Sequence, residues 1–291
     1  MNRRFHTGPL VQAAAGVAAL CALDACMKQA MTLAPVGYAT WGRYVAGTML
    51  GLLVWQFSGR PAISRAMLPA QIARGALIAV TALMFFYALT QLPLAEVMVL
   101  AFTAPLMIPP FAALFLNEPV SGRTIVALGI GFVGVLVTVQ GAPLFETSRL
   151  WGVAAALGSS VTYALAAVVL RARAARDGAV LTTLLGAAVP LVLLMPVGIG
   201  APPPGWALAG WLLLAGVLGN VGVQLLARAY AKAEAQVLSV LEFTGLIWAA
   251  LFGWLFFGEA VRPPVWAGAA LIILACLWAS RGKAIAAVQP L

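Results

Sequence analysis

"VLAFTAPLMIPPFAALFLNE", residues 99–118, and "VLEFTGLIWAALFGWLFFGE", residues 240–259, decide the fold between them. Set one above the other, they agree without a gap at Val99/Val240, Leu100/Leu241, Phe102/Phe243, Thr103/Thr244, Phe111/Phe252, Leu114/Leu255, Phe115/Phe256 and Glu118/Glu259. The "FT" pair and the closing Glu hold their register. A fainter echo links "GVAAL" at 16–20 to "GVAAA" at 152–156. The chain reads as a duplication, and both copies are strongly apolar.

Composition says what kind of duplication. Of 291 residues, 63% are hydrophobic and 9% charged, with a mean hydropathy of +1.02. Soluble domains run about 45–50% apolar and about 25% charged. Long apolar runs recur from end to end, so the chain is expected to be a polytopic membrane protein resident in the lipid bilayer. "MNRRFHTGPLVQAAAGVAAL" has the arginines and apolar run of a signal peptide. The run is too long for one, however, and it leads into more spans, so it is expected to stay as a first helix. Cys21, Cys26 and Cys276 lie within apolar spans without metal-ligand spacing and read as buried small residues.

A span needs roughly 20 apolar residues. Cutting at Pro, Gly and charge clusters predicts ten spans, at 10–31, 36–57, 72–91, 94–116, 123–141, 150–171, 180–198, 206–229, 236–257 and 264–280. With the N-terminus inside, the cytoplasmic loops and span ends carry Arg3, Arg4, Arg60, Arg65, Arg74, Arg123, Arg171, Arg173, Arg176, Arg228, Lys232, Arg281 and Lys283. The other side carries Lys28, Arg149 and Arg262, while Arg43 lies inside a span. This bias places both termini in the cytoplasm and explains the +9 net charge as membrane orientation rather than nucleic-acid binding.

The repeat equates the fourth span with the ninth and the first with the sixth. Five spans per copy is odd, so the second copy is expected to insert upside down. Inverted repeats are a signature of secondary transporters, which build two alternately open states around one midplane site. Residues 1–141 and 150–280 are the expected halves, followed by a cytoplasmic tail at 281–291. With "LPLAEVMVLAFTAPL" entering the fourth span, and "LNEP" and "FGEA" closing the fourth and ninth, the chain resembles the EamA-type drug/metabolite transporters. The resemblance implies an all-α bundle of ten transmembrane helices, with helices 1–4 and 6–9 around a central cavity and 5 and 10 to the side. It implies a small-metabolite substrate, with amino acids or their derivatives, exported from a bacterial cell across the inner membrane, as the leading class. Uptake of a vitamin- or nucleoside-like metabolite is the alternative. The symmetric pattern lapses at Glu242, whose repeat partner is Ala101.

Charges within spans normally face a cavity or a partner. Asp24 and Lys28, four apart, share one helix face, and Arg43 lies at a similar depth on the next span. The three are expected to cluster, either as a structural lock or as cations for a substrate carboxylate or phosphate. Asn220, Gln224 and Arg228 form a polar stripe on the eighth span, as interhelical glue or as cavity lining. Glu242, with Arg228 as its nearest plausible partner, is a candidate for carrying protons. Glu96 reads as an N-terminal acid favoured by the helix dipole, and Glu118 and Glu259 read as loop-ordering groups. Pro105, Pro109 and Pro110 are candidates for a gating bend. Tyr87, Tyr163 and Trp248 are candidate aromatic walls for substrate. Small residues on the fifth and tenth spans suit close packing or a homodimer.

The chain carries no phosphate-binding loop, dinucleotide fingerprint, nucleophile elbow or metal cluster, and its single histidine, His6, lies in the N-terminal tail. No cofactor, metal or catalytic residue is expected. An intramembrane lipid-modifying enzyme built on Asp24 or Glu242 is the alternative of a different class.

Overall fold

The computed structural model describes residues 7–117, 122–140, 147–199, 203–230 and 242–280, and every regular element among them is helical. In chain order these are α1 (Thr7–Ala30), α2 (Val36–Phe57), α3 (Leu68–Gln91), α4 (Leu94–Ala101), α5 (Ala104–Leu116), α6 (Gly122–Val139), α7 (Thr147–Asp177), α8 (Ala179–Leu193), α9 (Met195–Gly198), α10 (Trp206–Tyr230), α11 (Gly245–Phe257) and α12 (Pro263–Ser280). Among the described residues, five stretches are long and apolar enough to cross a bilayer: Val11–Ala30, Leu68–Gln91, Leu94–Leu116, Thr147–Leu170 and Trp206–Leu226. Four shorter apolar helices accompany them.

Helix boundaries depart from the sequence expectation where local chemistry overrides the apolar pattern. α3 starts at Leu68 rather than 72, because Pro69 fits the first helical turn, where no N–H is needed. α7 runs on through "RARAARD" to Asp177, and the turn falls instead at Gly178, whose φ is +72°. The span at 94–116 is interrupted at Phe102–Thr103, where Thr103 N–H donates to Leu100 O three residues back. Pro105 stands just past that turn and has no N–H for the Ala101 carbonyl. Pro109 and Pro110, expected at the bend, lie inside α5 without breaking it. The mate of this turn, Phe243–Thr244, lies just before α11, where Leu246 N–H donates to Phe243 O three residues back. The "FT" register thus marks a turn immediately before α5 and before α11 alike. The helix ends match as well. Asn117 (φ +55°) and Gly258 (φ +65°) both take the left-handed conformation, which these two residue types tolerate best.

The packing repeats when the halves are exchanged, with α1 for α7, α2 for α8, α3 for α10, α4–α5 for α11 and α6 for α12. α1 packs along α10 as α3 packs along α7; α2 meets α10 as α8 meets α3; α1 meets α11 as α7 meets α5. Three pairs meet their own mates: α2 with α8, α4 with α11, and α6 with α12. These self-paired contacts mark a pseudo-twofold axis through the bundle. On it, the rings of Phe102 and Phe243 meet edge to face at 5.3 Å. The glycines expected to serve close packing or a homodimer face each other within one chain: a Cβ on Gly134 would come within 3.0 Å of the Gly268 carbonyl oxygen.

Candidate functional site

A cavity of about 210 Å³ lies where α2, α3, α8 and α10 converge. α2 and α8 are repeat mates, and so are α3 and α10, so the cavity straddles the pseudo-twofold axis. Its walls include Arg43, Tyr44, Arg74, Thr182, Thr183 and Asn220, with Gly47, Gly186, Gly216 and Gly219 leaving room between them. The ring of helices expected from the resemblance is wider than the four that line this cavity.

The guanidinium of Arg43 lies over the rings of Tyr44 at 4.9 Å and Phe86 at 5.5 Å. Its Nε is buried without a hydrogen-bond partner. Arg74 sits six residues into α3, about 9 Å at ~1.5 Å per residue, and donates from Nη1 to Thr182 O at 3.0 Å. Asn220 donates to Gly216 O at 3.1 Å and also borders a second groove, which runs between α2 and α10 past Gln224 to Phe57 and Ser58.

The cluster expected of Asp24, Lys28 and Arg43 does not form as a unit. Asp24 lies within the electrostatic reach of Arg43. Lys28 turns away and donates to Glu259 and, at 2.9 Å, to Leu92 O. Glu259 in turn accepts the Leu94 N–H at 2.8 Å, capping α4 from the other half. Glu259 is thus a counter-ion and a cap, more than a loop-ordering group; its mate Glu118 lies outside the described residues. Glu96, expected as a helix-dipole acid, is buried at 1% exposure and makes no cap bond. It accepts from Arg149, and from Arg262 Nη2 at 3.0 Å, and Arg262 also donates to Gln140 O at 2.9 Å. Lys28, Arg149 and Arg262, which the charge count assigns to one side, are therefore gathered at one end of the bundle. Both carboxylates bind cations of the opposite half.

At the other end, buried Gln71 donates to Asp177 at 2.7 Å, and Arg173 bridges Asp177 to Ala66 O. This polar contact ties α3 to the α7–α8 corner.

The remaining candidates are scattered. Tyr87 and Tyr163 are exposed and outside the cavity lining. The Tyr163 hydroxyl lies within reach of the charges of Arg74 and Glu242. Glu242 is exposed just before the Phe243–Thr244 turn. Trp248 stacks on Phe252 at 6.0 Å. The side chain of Arg228 lies outside the described residues.

Sequence reasoning missed Arg74, Tyr44 and Thr182 as cavity residues. For Arg74 the signal was there: Pro69 as a first-turn residue lengthens the helix and moves the arginine inward.

Two of the three thiols touch the turns beside α4 and α11. Cys21 lies 3.4 Å from Gly245 O and Cys276 3.7 Å from Phe102 O, each as a weak donor. Ser160 reaches Leu100 O at 3.2 Å.

Comparison with known proteins adds to this geometry. The chain matches the EamA-like transporter family twice, over residues 10–140 and 150–281. It is 30% identical over 266 residues to the pseudopaline exporter of Pseudomonas aeruginosa, covering 90% of this chain and 92% of that protein. It is 30% identical over 204 residues to a riboflavin transporter of Rhizobium johnstonii, covering 67% of this chain and 64% of that one. An S-adenosylmethionine uptake transporter of Rickettsia felis is 26% identical over 210 residues, 71% of this chain and 70% of that one. A chain of known crystal structure shares the fold with a TM-score of 0.58 at 17% identity, over 94% of this chain and 99% of that chain.

Proposed function

Since the chain belongs to the EamA-like transporter family and carries two copies of its repeat, it is a membrane transporter of a small metabolite and not an enzyme, and we propose that it works by alternating access around the cavity on its pseudo-twofold axis. The proposal extends to ten crossings, with the second half inverted relative to the first. It places both termini in the cytoplasm of a bacterial cell and the Glu96 end outside the inner membrane. The leading cargo is an amino acid or derivative, moved outward.

One observation carries the reading. The cavity lies between helices that are one another's repeat mates, and ion pairs between the halves tie the Glu96 end. A rocking motion that parts those ion pairs would open the site to that side, and the mirror motion would open it to the other. Uptake of a larger vitamin- or nucleoside-like solute is the second reading, favoured by what two of the relatives are named for. The central cavity, about 210 Å³, is smaller than the ~300 Å³ at which drug-sized pockets begin, and a groove of about 340 Å³ sharing Asn220 adjoins it.

The test is flux into sealed proteoliposomes loaded with candidate solutes, with the solute recovered and checked for chemical change. Movement of unaltered solute supports transport. A chemically altered lipid or solute with no flux would return the intramembrane enzyme to consideration.

A further inference from the structure

Lys28, Arg149, Arg173 and Arg262 are each ion-paired to a carboxylate. Among the described residues, Arg43, Arg60, Arg65 and Arg74 have no such ion pair; Arg60 and Arg65 are exposed in the α2–α3 connection, whereas Arg43 and Arg74 lie within helices and line the central cavity. Charge held within a membrane protein normally faces a partner or a water-filled site. Among the described cations inside helices, the two without a carboxylate are the two that face the site.

Their placement is specific. Arg43 is seven residues from the start of α2 at the Glu96 end, and Arg74 is six from the start of α3 at the opposite end. By ~1.5 Å per residue their Cα atoms are separated by roughly 10–15 Å along the bundle. They approach the cavity from its two ends and border different walls. Arg74 Nη1 lies 3.1 Å from where a Cβ on Gly186 would sit, and Arg43 Nη2 lies 3.7 Å from one on Gly219. Arg43 Nε and the Thr182 hydroxyl are both buried at the cavity wall without hydrogen-bond partners. Asp24 lies within the field of Arg43 but forms no ion pair with it. A guanidinium is a fork of donors matched to carboxylate and phosphate, whereas a single zwitterion offers only one such anion.

We propose that Arg43 and Arg74 form a two-point clamp for a small organic solute bearing two or more carboxylates, so that the clamp sets the charge class of the cargo. This rests on the reading of the cavity as the transport site and narrows it. The volume, about 210 Å³, equals about seven waters at ~30 Å³ each, which suits a compact di- or tricarboxylate.

The experiment follows thermal unfolding of the purified full chain in detergent at fixed ionic strength. Succinate, glutamate and citrate are titrated against glycine, glucose and putrescine. The clamp predicts that the polycarboxylates raise the melting temperature and the neutral, zwitterionic and cationic solutes do not. Arg43→Gln and Arg74→Gln should each weaken that response about 10-fold or more, as expected for loss of a charged hydrogen bond. Arg43→Lys and Arg74→Lys should recover part of it. Stabilisation by neutral or cationic solutes but not by polycarboxylates would overturn the clamp, and this arm needs no variant to fold. Folded glutamine variants with wild-type polycarboxylate response would overturn it too. Flux in proteoliposomes separates the two readings. Polycarboxylate binding through both arginines without flux keeps the clamp and sinks transport. Flux of a neutral solute indifferent to both arginines keeps transport and sinks the clamp.

Discussion

Glu96→Gln is the perturbation that tests the ion pairs at the Glu96 end most directly. The carboxylate is 1% exposed and neutralises two cations at once, Arg149 with an 11% exposed side chain and Arg262 with 27%. The amide keeps the size of the side chain and removes its charge, which leaves two guanidiniums facing one neutral group. Removing one partner of a buried ion pair costs about 3–5 kcal/mol. The partial exposure of Arg262 puts this case at the low end, about 3 kcal/mol. The loss falls on the conformation in which the pairs are made. At 1.36 kcal/mol per factor of ten, the ratio of closed to open forms at this end drops roughly 100-fold. A cysteine at Ala95, now 3% exposed, would report the change through its labelling rate with a membrane-impermeant maleimide. The three native cysteines are buried and give a low background. Labelling should accelerate strongly in Glu96→Gln, and the melting temperature should fall. Unchanged labelling together with unchanged melting would refute the energetic role given to Glu96.

Gly268→Ala should destabilise the chain by about 1–3 kcal/mol. The new methyl would press on the Thr138 hydroxyl and stand 2.5 Å from the Gly134 carbonyl oxygen, so a melting temperature equal to wild type would show that α6 and α12 can separate freely. Glu259→Ala and Lys28→Ala should each cost about 1 kcal/mol beyond the ion pair they share, because the first also removes the α4 cap and the second the bond to Leu92 O; a loss no larger than that of an isolated ion pair in either melting curve would contradict that. Glu242→Gln should fold and exchange substrate down its gradient yet lose stimulation by an imposed pH gradient. Undiminished pH-driven flux in the variant would remove Glu242 from any coupling role.

The features legible in the sequence were those carried by pattern. Thr103 and Thr244, with the phenylalanines before them, mark a turn before α5 and before α11, and the register that matches them also pairs Asn117 with Gly258. Lys28, Arg149 and Arg262 could be assigned to one side by counting charges, and the fold brings them to one end. Partners across long separations could not be read this way. The i, i+4 spacing of Asp24 and Lys28 points to a local pair, yet Lys28 binds a carboxylate 231 positions away. Glu96 looks like a dipole acid because helix position is visible in one dimension, while the approach of Arg149 and Arg262 is set by the packing of α4 against α7 and α12. Arg74 is hidden by a helix boundary four residues out of place, enough to move it from the span edge to the cavity wall. Pro109 and Pro110 suggest a kink on composition alone, yet α5 runs through both as one helix.

The crossing of Phe102 and Phe243 has a mechanical consequence. It sits at the turn between α4 and α5, at the matching turn before α11, and on the axis that relates them, which is where a fulcrum belongs. On one side the lever arm is α4, eight residues or about 12 Å; on the other it is α5, thirteen residues or about 20 Å. A tilt of about 10° about the fulcrum carries the two tips through roughly 2 and 3.5 Å by that rise. The smaller travel occurs at the tip that bears Leu94 and Glu96, where it would stretch the 2.8 Å bond to Glu259 well past hydrogen-bonding range. The ties at these turns include two thiol-to-carbonyl contacts, among the weakest donors a protein has, beside one hydroxyl contact from Ser160. They would yield under such a tilt before the helices themselves bent.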